Sequence, residues 1–326
     1  MTRKVIALTA AAAAASLLLS ACGKSSSGGS GGSGATSGSS SGAANAGTIA
    51  SKLIIGGPPE FRTRADGLSG LQKNYGITFQ SFKPLDTAGP VTVTSLKNGQ
   101  VDVADLFSTD PAIKANSFVV LTDPRSNFAA QNVLPLIAKS KATSGVTQVL
   151  NFLSSKLTTT DLINLRTKVE VDKQDIPAAA TSWLAQFASQ KPPATLNKGV
   201  TITIGSANFP ENQVIAQIYA TALQATGATV HTKFNIGSRE KYMPALQDGE
   251  VDLIPEYSGV LLQFFDKNAT ATSSDAVFAA LPKALPAKLE VLNQSQAEDV
   301  DSIVVTKDTA NKYHLTSIAD LANKAA

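Results

Sequence analysis

Two stretches of this 326-residue chain repeat one phrase. "SLKNGQVDVADLFST" spans Ser95 to Thr109, and "ALQDGEVDLIPEYSG" spans Ala245 to Gly259. Each runs leucine, any residue, Asn or Asp, glycine, any residue, valine, aspartate, an apolar residue. Each reaches an aromatic, Phe107 or Tyr257, four positions later. A second matched pair lies upstream, "KLIIGGPPEF" from Lys52 and "TITIGSANFPE" from Thr201. Gly99 follows Gly56 by 43 residues and Gly249 follows Gly205 by 44. The two halves therefore share a strand, a loop, a connection of matched length and a second strand.

The connection reads most clearly in the second half. Val214, Ile215, Ile218, Tyr219, Ala222 and Leu223 fall on one helical face. Gly227 suits the position just past the helix end. Thr229–Phe234 alternates like a strand, Ser238 can cap a helix through Leu246, and "EVDLI" is a short buried strand. The order β-α-β-α-β predicts an α/β fold with parallel strands and helices on both faces. The first half follows the same order, with a shorter helix around Asp66–Tyr75. Two such lobes imply a shared cleft, because ligands of open α/β sheets bind beyond the carboxyl ends of the strands. The turns "IGGPPEF", "ADLFSTD", "IGSANF" and "IPEYSG" stand at those ends.

The amino-terminal residues carry a separate message. Arg3 and Lys4 precede an apolar run from Val5 to Leu19, and "LSAC" ends at Cys22. Residues 1–22 read as a secretory signal, too short to span a bilayer comfortably. "LSAC" resembles a bacterial lipobox, which makes Cys22 the lipidated first residue of the mature protein. Cys22 is the sole cysteine, so no intrachain disulfide is expected. Residues 23–47 are a Gly/Ser-rich tether with a reach of about 25–30 Å. The expected location is therefore extracytoplasmic, with a lipid anchor in the outer face of the cell membrane.

Composition and motifs argue against two other classes. A net charge of +3 gives no sign of a nucleic-acid partner. The chain has no HExxH, no phosphate-binding loop and no dinucleotide fingerprint, and neither His231 nor His314 stands near a nucleophile motif. A binding module without cofactor is expected. A hydrolase, the less favoured class, would need an acid/base pair from Glu60, Glu211, Glu256 and Asp301. The acids of "EDVD", Glu298–Asp301, lack the spacing of a calcium loop, and no metal is expected.

The long segments "IGSANFPENQVIAQIYATAL", "ALQDGEVDLIPEYSG", "IGGPPEFRTRADGLSGLQKNYG" and "KNGQVDVADLFSTD" resemble the osmoprotectant (glycine betaine, choline, carnitine) binding proteins of bacterial ABC importers. The resemblance runs from Ser51 to Ala326. It implies a two-lobed periplasmic-binding-protein fold of type II. It also implies a monomer that hands a small molecule to ABC permease membrane subunits served by a separate ATPase subunit. The segment order departs from the family's, in which the "GSxNF" segment comes first. The chain resembles a circular permutant, with 191–199 ("KPPATLNKG") joining the family's usual ends. Residues 48–118 plus 306–326 are expected to form lobe B and 119–305 lobe A, with hinges near Val119 and Val305. Ser317 and Asp320 have capping-box spacing, which predicts a final helix.

Family members hold a quaternary ammonium in a cage of tyrosines and its carboxylate with basic and hydroxyl groups. By that resemblance Tyr257 stands at one cage position and Phe107 at a second. The other two are Asp301 and Gln131, neither aromatic. On the carboxylate side Arg64 matches and Asn208 lies in the matching turn, while Ala207 and Val260 replace a lysine and a threonine. Arg239, in "IGSREKY", could add a donor to the same cleft, and Asp301 could pair with a cation directly. The ligand stays open between a quaternary ammonium solute and a polar or aromatic uncharged molecule. The role stays open between transport and ligand sensing.

Overall fold

The structure, a computed structural model, describes residues 47–325. The expected signal peptide, Cys22 and all but the last residue of the tether lie outside the described residues. Two five-stranded sheets carry the fold. The first, in lobe B, contains β1 (Ile54–Gly57), β2 (Ser81–Pro84), β3 (Val103–Phe107) and β4 (Val119–Val120). The second, in lobe A, contains β5 (Val133–Ala138), β6 (Thr201–Gly205), β7 (Thr229–Lys233), β8 (Leu253–Tyr257) and β9 (Leu289–Val291). The last strand, β10 (Asp301–Val305), returns to the first sheet.

The sheet orders are β2-β1-β3-β10-β4 and β7-β6-β8-β5-β9. In each, the three strands of one repeat run parallel, and the strand beside them is antiparallel. That antiparallel strand always enters from the other lobe, so the chain crosses twice. Helices cover both faces of each sheet, as two α/β lobes require. In lobe A one face is packed by helices Ser144–Ser154, Ile176–Ala185 and Pro210–Ala225. The other face is packed by Arg239–Gln247, Ser258–Phe265 and Ser274–Ala284.

The repeated phrase has a structural reason. Gly99 and Gly249 each follow a helix end with φ of +67° and +77°, a conformation that favours glycine. Three residues later the aspartate turns back on the neighbouring strand. Ile54 N–H donates to Asp102 Oδ2 and Thr203 N–H donates to Asp252 Oδ2, both at 2.8 Å. In return Asp102 N–H and Asp252 N–H donate to the carbonyls of those same two residues. Each aspartate thus pins the start of one parallel pair. Asp252→Ala is expected to destabilise the protein by about 1–3 kcal/mol, because it leaves a strand N–H without its acceptor. A urea unfolding curve unchanged by the substitution would contradict this.

Several expectations need correction. The boundaries at 118/119 and 305/306 assign β4 and β10 to lobe A, yet both pair in the first sheet: Asp301 lies opposite Phe107 and Val305 opposite Val119. Leu121 and Phe128 also pack in the core of lobe B. The crossings therefore fall at about residues 129–132 and 297–300, where Asn132 bridges Glu298 in antiparallel fashion. Val119 and Val305 lie inside a sheet and are not hinges. Ser238 precedes its helix but makes no cap bond; its hydroxyl donates to Glu240 instead. The capping box at Ser317 and Asp320 is present, but it opens a 3-10 turn, Ile318–Ala322, in place of a full helix. The two ends of the described chain lie side by side: Ile49 N–H donates to Asn323 O and Ala325 N–H to Gly47 O.

Candidate functional site

Four strand ends face one another between the lobes and enclose a cavity of about 60 Å³. Lobe B supplies Arg64, after the Pro59–Arg62 turn, Phe107 at the end of β3 and Asp301 at the start of β10. Lobe A supplies Asn208 in the turn after β6, Arg239 at a helix start and Tyr257 at the end of β8. Six of the seven expected residues thus meet at one place. Gln131 does not. It is buried at the first crossing, where its side-chain Oε1 accepts from Val260 N–H and its carbonyl from Asp299 N–H. Its position places it behind the wall, holding the crossing in place.

Phe209 was not anticipated as a wall residue. It stands between Phe107, at 5.2 Å between ring centroids, and Tyr257, at 5.9 Å. The three rings come from both lobes and form one aromatic surface. A signal was available: Phe209 ends the "IGSANF" turn as Phe61 ends "IGGPPEF", and that second copy is wholly buried in lobe B.

The two wall arginines are committed within their own lobes. Arg64 donates from Nε to Asp66 at 2.9 Å and from a terminal nitrogen to Asp301 at 2.7 Å. Asp301 was expected to face a ligand cation; it faces this guanidinium. Arg239 grips Glu256 with both ends, at 2.9 and 2.8 Å. Glu256 is fully buried and also accepts from the Tyr242 hydroxyl at 2.7 Å. Burial works against the charge of both arginines and is outweighed by these carboxylates. Beside Asp301, burial first and the Asp301 charge second push the Asp105 carboxyl well above its ordinary range. Burial also pushes Asp301 up, against the pull of Arg64.

A second network links the lobes directly. Arg166 ends the helix Thr159–Arg166 on the lobe A side and is only 2% exposed. It pairs with Asp110 of lobe B at 3.0 Å and with Glu170 at 2.6 Å, and donates to the Thr109 hydroxyl at 3.2 Å. That hydroxyl lies 2.6 Å from Glu211 of lobe A and 2.8 Å from Asp299 at the second crossing. It has one proton and can donate to only one of these two acids. The other acid must bring a proton of its own. Burial first, then the Glu211 charge, hold Asp299 well above its ordinary range, so Asp299 keeps that proton. The Tyr257 hydroxyl donates to the remaining oxygen of Glu211 at 2.8 Å, which ties the aromatic wall to this network.

A larger cavity of about 520 Å³ adjoins the first and shares Arg64, Arg239, Glu240 and Val260 with it. Lys267, Asp66 and Phe264 line its outer part. Among the described residues no group of three or more His, Cys, Asp or Glu is arranged to hold a metal ion. No described helix is long and apolar enough to cross a membrane.

The family described as the substrate binding domain of ABC-type glycine betaine transport systems matches residues 43–186 and 200–326. The glycine betaine-binding protein YehZ of Escherichia coli (strain K12) is 30% identical over 125 residues, 37% of this chain and 41% of that protein. The chain thus matches less than half the length of that curated relative. An ancestral arginine-binding protein bound to arginine is 16% identical, with a TM-score of 0.43 over 84% of this chain and 92% of its own. PhnD1 from Prochlorococcus marinus (MIT 9301), in complex with methylphosphonate, is 13% identical, with a TM-score of 0.41 over 83% and 82%.

Proposed function

Because the chain belongs to the family of substrate-binding domains of ABC-type glycine betaine transport systems, we propose that it is an extracytoplasmic solute-binding protein. It takes an osmoprotectant-like solute, a quaternary ammonium or related compatible solute, into the cleft between its lobes. It then delivers that solute to an ABC permease, whose separate ATPase subunit drives uptake. The protein acts as a monomer held to the outer face of the cell membrane through lipidated Cys22. Its chemistry is binding and release, with no covalent step.

One observation carries the reading: Phe107 from lobe B meets Phe209 of lobe A, which in turn meets Tyr257 of lobe A. Aromatic faces attract a desolvated cation by about 0.5–2 kcal/mol per ring. A wall built from both lobes forms fully only when the lobes close, and a ligand that touches both gains most in the closed form. The crossings at residues 129–132 and 297–300 are the segments on which closure would turn.

We also propose that the segment order is a circular permutation of the family's. The family match falls into two pieces separated by 187–199, the stretch that contains the suggested joint. The paired ends at 47–49 and 323–325 fit that history, since permutation requires old neighbours to stay neighbours.

Calorimetric titration of the full chain with choline, glycine betaine and carnitine tests the function. At least one should bind. Phe209→Ala should weaken that binding by about 2- to 30-fold, the equivalent of one ring. Absence of heat with all three, or undiminished binding by the variant, would sink the quaternary-ammonium reading.

A further inference from the structure

The charge of the cleft is more specific than its shape. Each guanidinium that lines it already faces carboxylates of its own lobe: Arg64 faces Asp66 and Asp301, and Arg239 faces both oxygens of Glu256. Arg166, farther back, is answered by Asp110 and Glu170. Among the described residues on the walls of the two adjoining cavities, Lys267 is the remaining cation, and it is exposed at the outer side.

Against Arg64, Arg239 and Lys267 stand Glu60, Asp66, Glu240, Glu256 and Asp301, on those walls or directly behind them. That surplus holds with Asp105 and Asp299 counted as neutral. One buried carboxylate oxygen on the walls, Asp66 Oδ2 in the outer cavity, meets no N–H or O–H donor, and Asp301 in the inner one shares a hydrogen bond with the protonated Asp105 carboxyl. Ala207 and Val260 give the inner wall no side-chain donor.

A cleft with a surplus of one charge draws the opposite charge and repels its own. A ligand carboxylate placed between Arg64 and Arg239 would compete with Asp66, Asp301 and Glu256 for the same N–H groups. It would also add negative charge to a region already in excess. A cation without an acid gains from both the three ring faces and the surplus field.

We propose that this cleft selects an organic cation that carries no acid group, such as an ammonium alcohol, over a zwitterionic betaine. The proposal rests on the cleft being the solute site of the protein.

The test is calorimetric titration of the full chain with three probes: choline, glycine betaine and 3,3-dimethylbutan-1-ol, the uncharged carbon isostere of choline. Choline should bind at least about tenfold tighter than either of the others. Asp301→Asn, which removes one negative charge from the wall, should narrow the choline-to-glycine-betaine ratio by about tenfold. Glu256→Gln should narrow it from the other lobe and stands in if the first variant fails to fold. Glycine betaine binding as tightly as choline would overturn the charge inference while leaving the solute-binding reading intact. Equal binding of the neutral isostere would do the same. Failure of all three probes to bind would overturn the charge inference, and failure of carnitine as well would overturn the quaternary-ammonium reading on which it rests.

Discussion

Arg166→Met is expected to lower stability by about 3–5 kcal/mol, because it strips the partner from buried carboxylates. Asp110 loses its cationic partner, and Glu170 loses two guanidinium contacts. Thr109 loses the donor that helps fix its hydroxyl between Glu211 and Asp299. The methionine fills similar volume, so the loss reports charge more than cavity. Urea unfolding gives the magnitude. The double variant Arg166→Met/Asp110→Asn should recover part of it, since the stranded charge is then removed as well. A single-variant loss below about 1 kcal/mol would mean that water or a rearranged side chain satisfies Asp110. Because Arg166 also spans the two lobes, the single variant should enlarge the radius of gyration of the ligand-free protein in solution.

The second large effect is a dependence on pH with a sign opposite to that of ordinary salt-bridged carboxylates. Asp105 and Asp299 keep protons in the folded protein that they would release when unfolded, because their folded values lie above the ordinary value of 3.8. For a raised group the stabilising contribution is complete below the unfolded value and is lost as pH rises through the folded one. Stability should therefore fall with rising pH across the window that starts at the ordinary aspartate range and ends at the raised values. The slope is at most about 1.4 kcal/mol per pH unit for each group. Asp299→Asn supplies an amide N–H where the wild type needs a proton, so it should remove that group's share of the slope. Asp105→Asn should do the same within lobe B. At alkaline pH either variant should overtake the wild type in thermal unfolding. A wild-type curve that rises with pH throughout that window would show that these acids are ionised.

Both expectations concern residues that carry little signal in one dimension. Arg166 sits in "LINLRTK", an unremarked helical stretch, and its partner Asp110 lies 56 residues earlier. Thr109, Glu211 and Asp299 come from three distant segments. Glu211 and Asp299 of "EDVD" make polar contacts between the lobes, while Asp301 pairs with Arg64 inside lobe B. Local pattern cannot reveal such partners, because a charge is read from sequence as solvated until a neighbour across the fold buries it.

By contrast, the repeat identified both sheets before any coordinates. Its glycine and aspartate have purely local reasons, a left-handed turn and a return bond to the adjacent strand, so the chain had to write them twice. The strand-end turns likewise led to six of the expected wall residues. The matched turns mark Phe209 and Phe61 as equivalent positions, but only the packed fold puts Phe209 on the wall and Phe61 in a core.

What the sequence determined by itself was the α/β repeat, the position of the cleft and its family. These rest on short-range constraints: strand and helix periodicity, turn conformation, and backbone bonds between neighbouring strands. What only the tertiary structure decided was which sheet β4 and β10 join, that Gln131 stands behind the wall, and that Arg64 and Arg239 already have carboxylate partners. Those depend on pairings between residues up to 237 positions apart, as between Arg64 and Asp301. Long-range Coulomb and hydrogen-bond partners are chosen by the packed fold, and a buried charge takes its meaning from them.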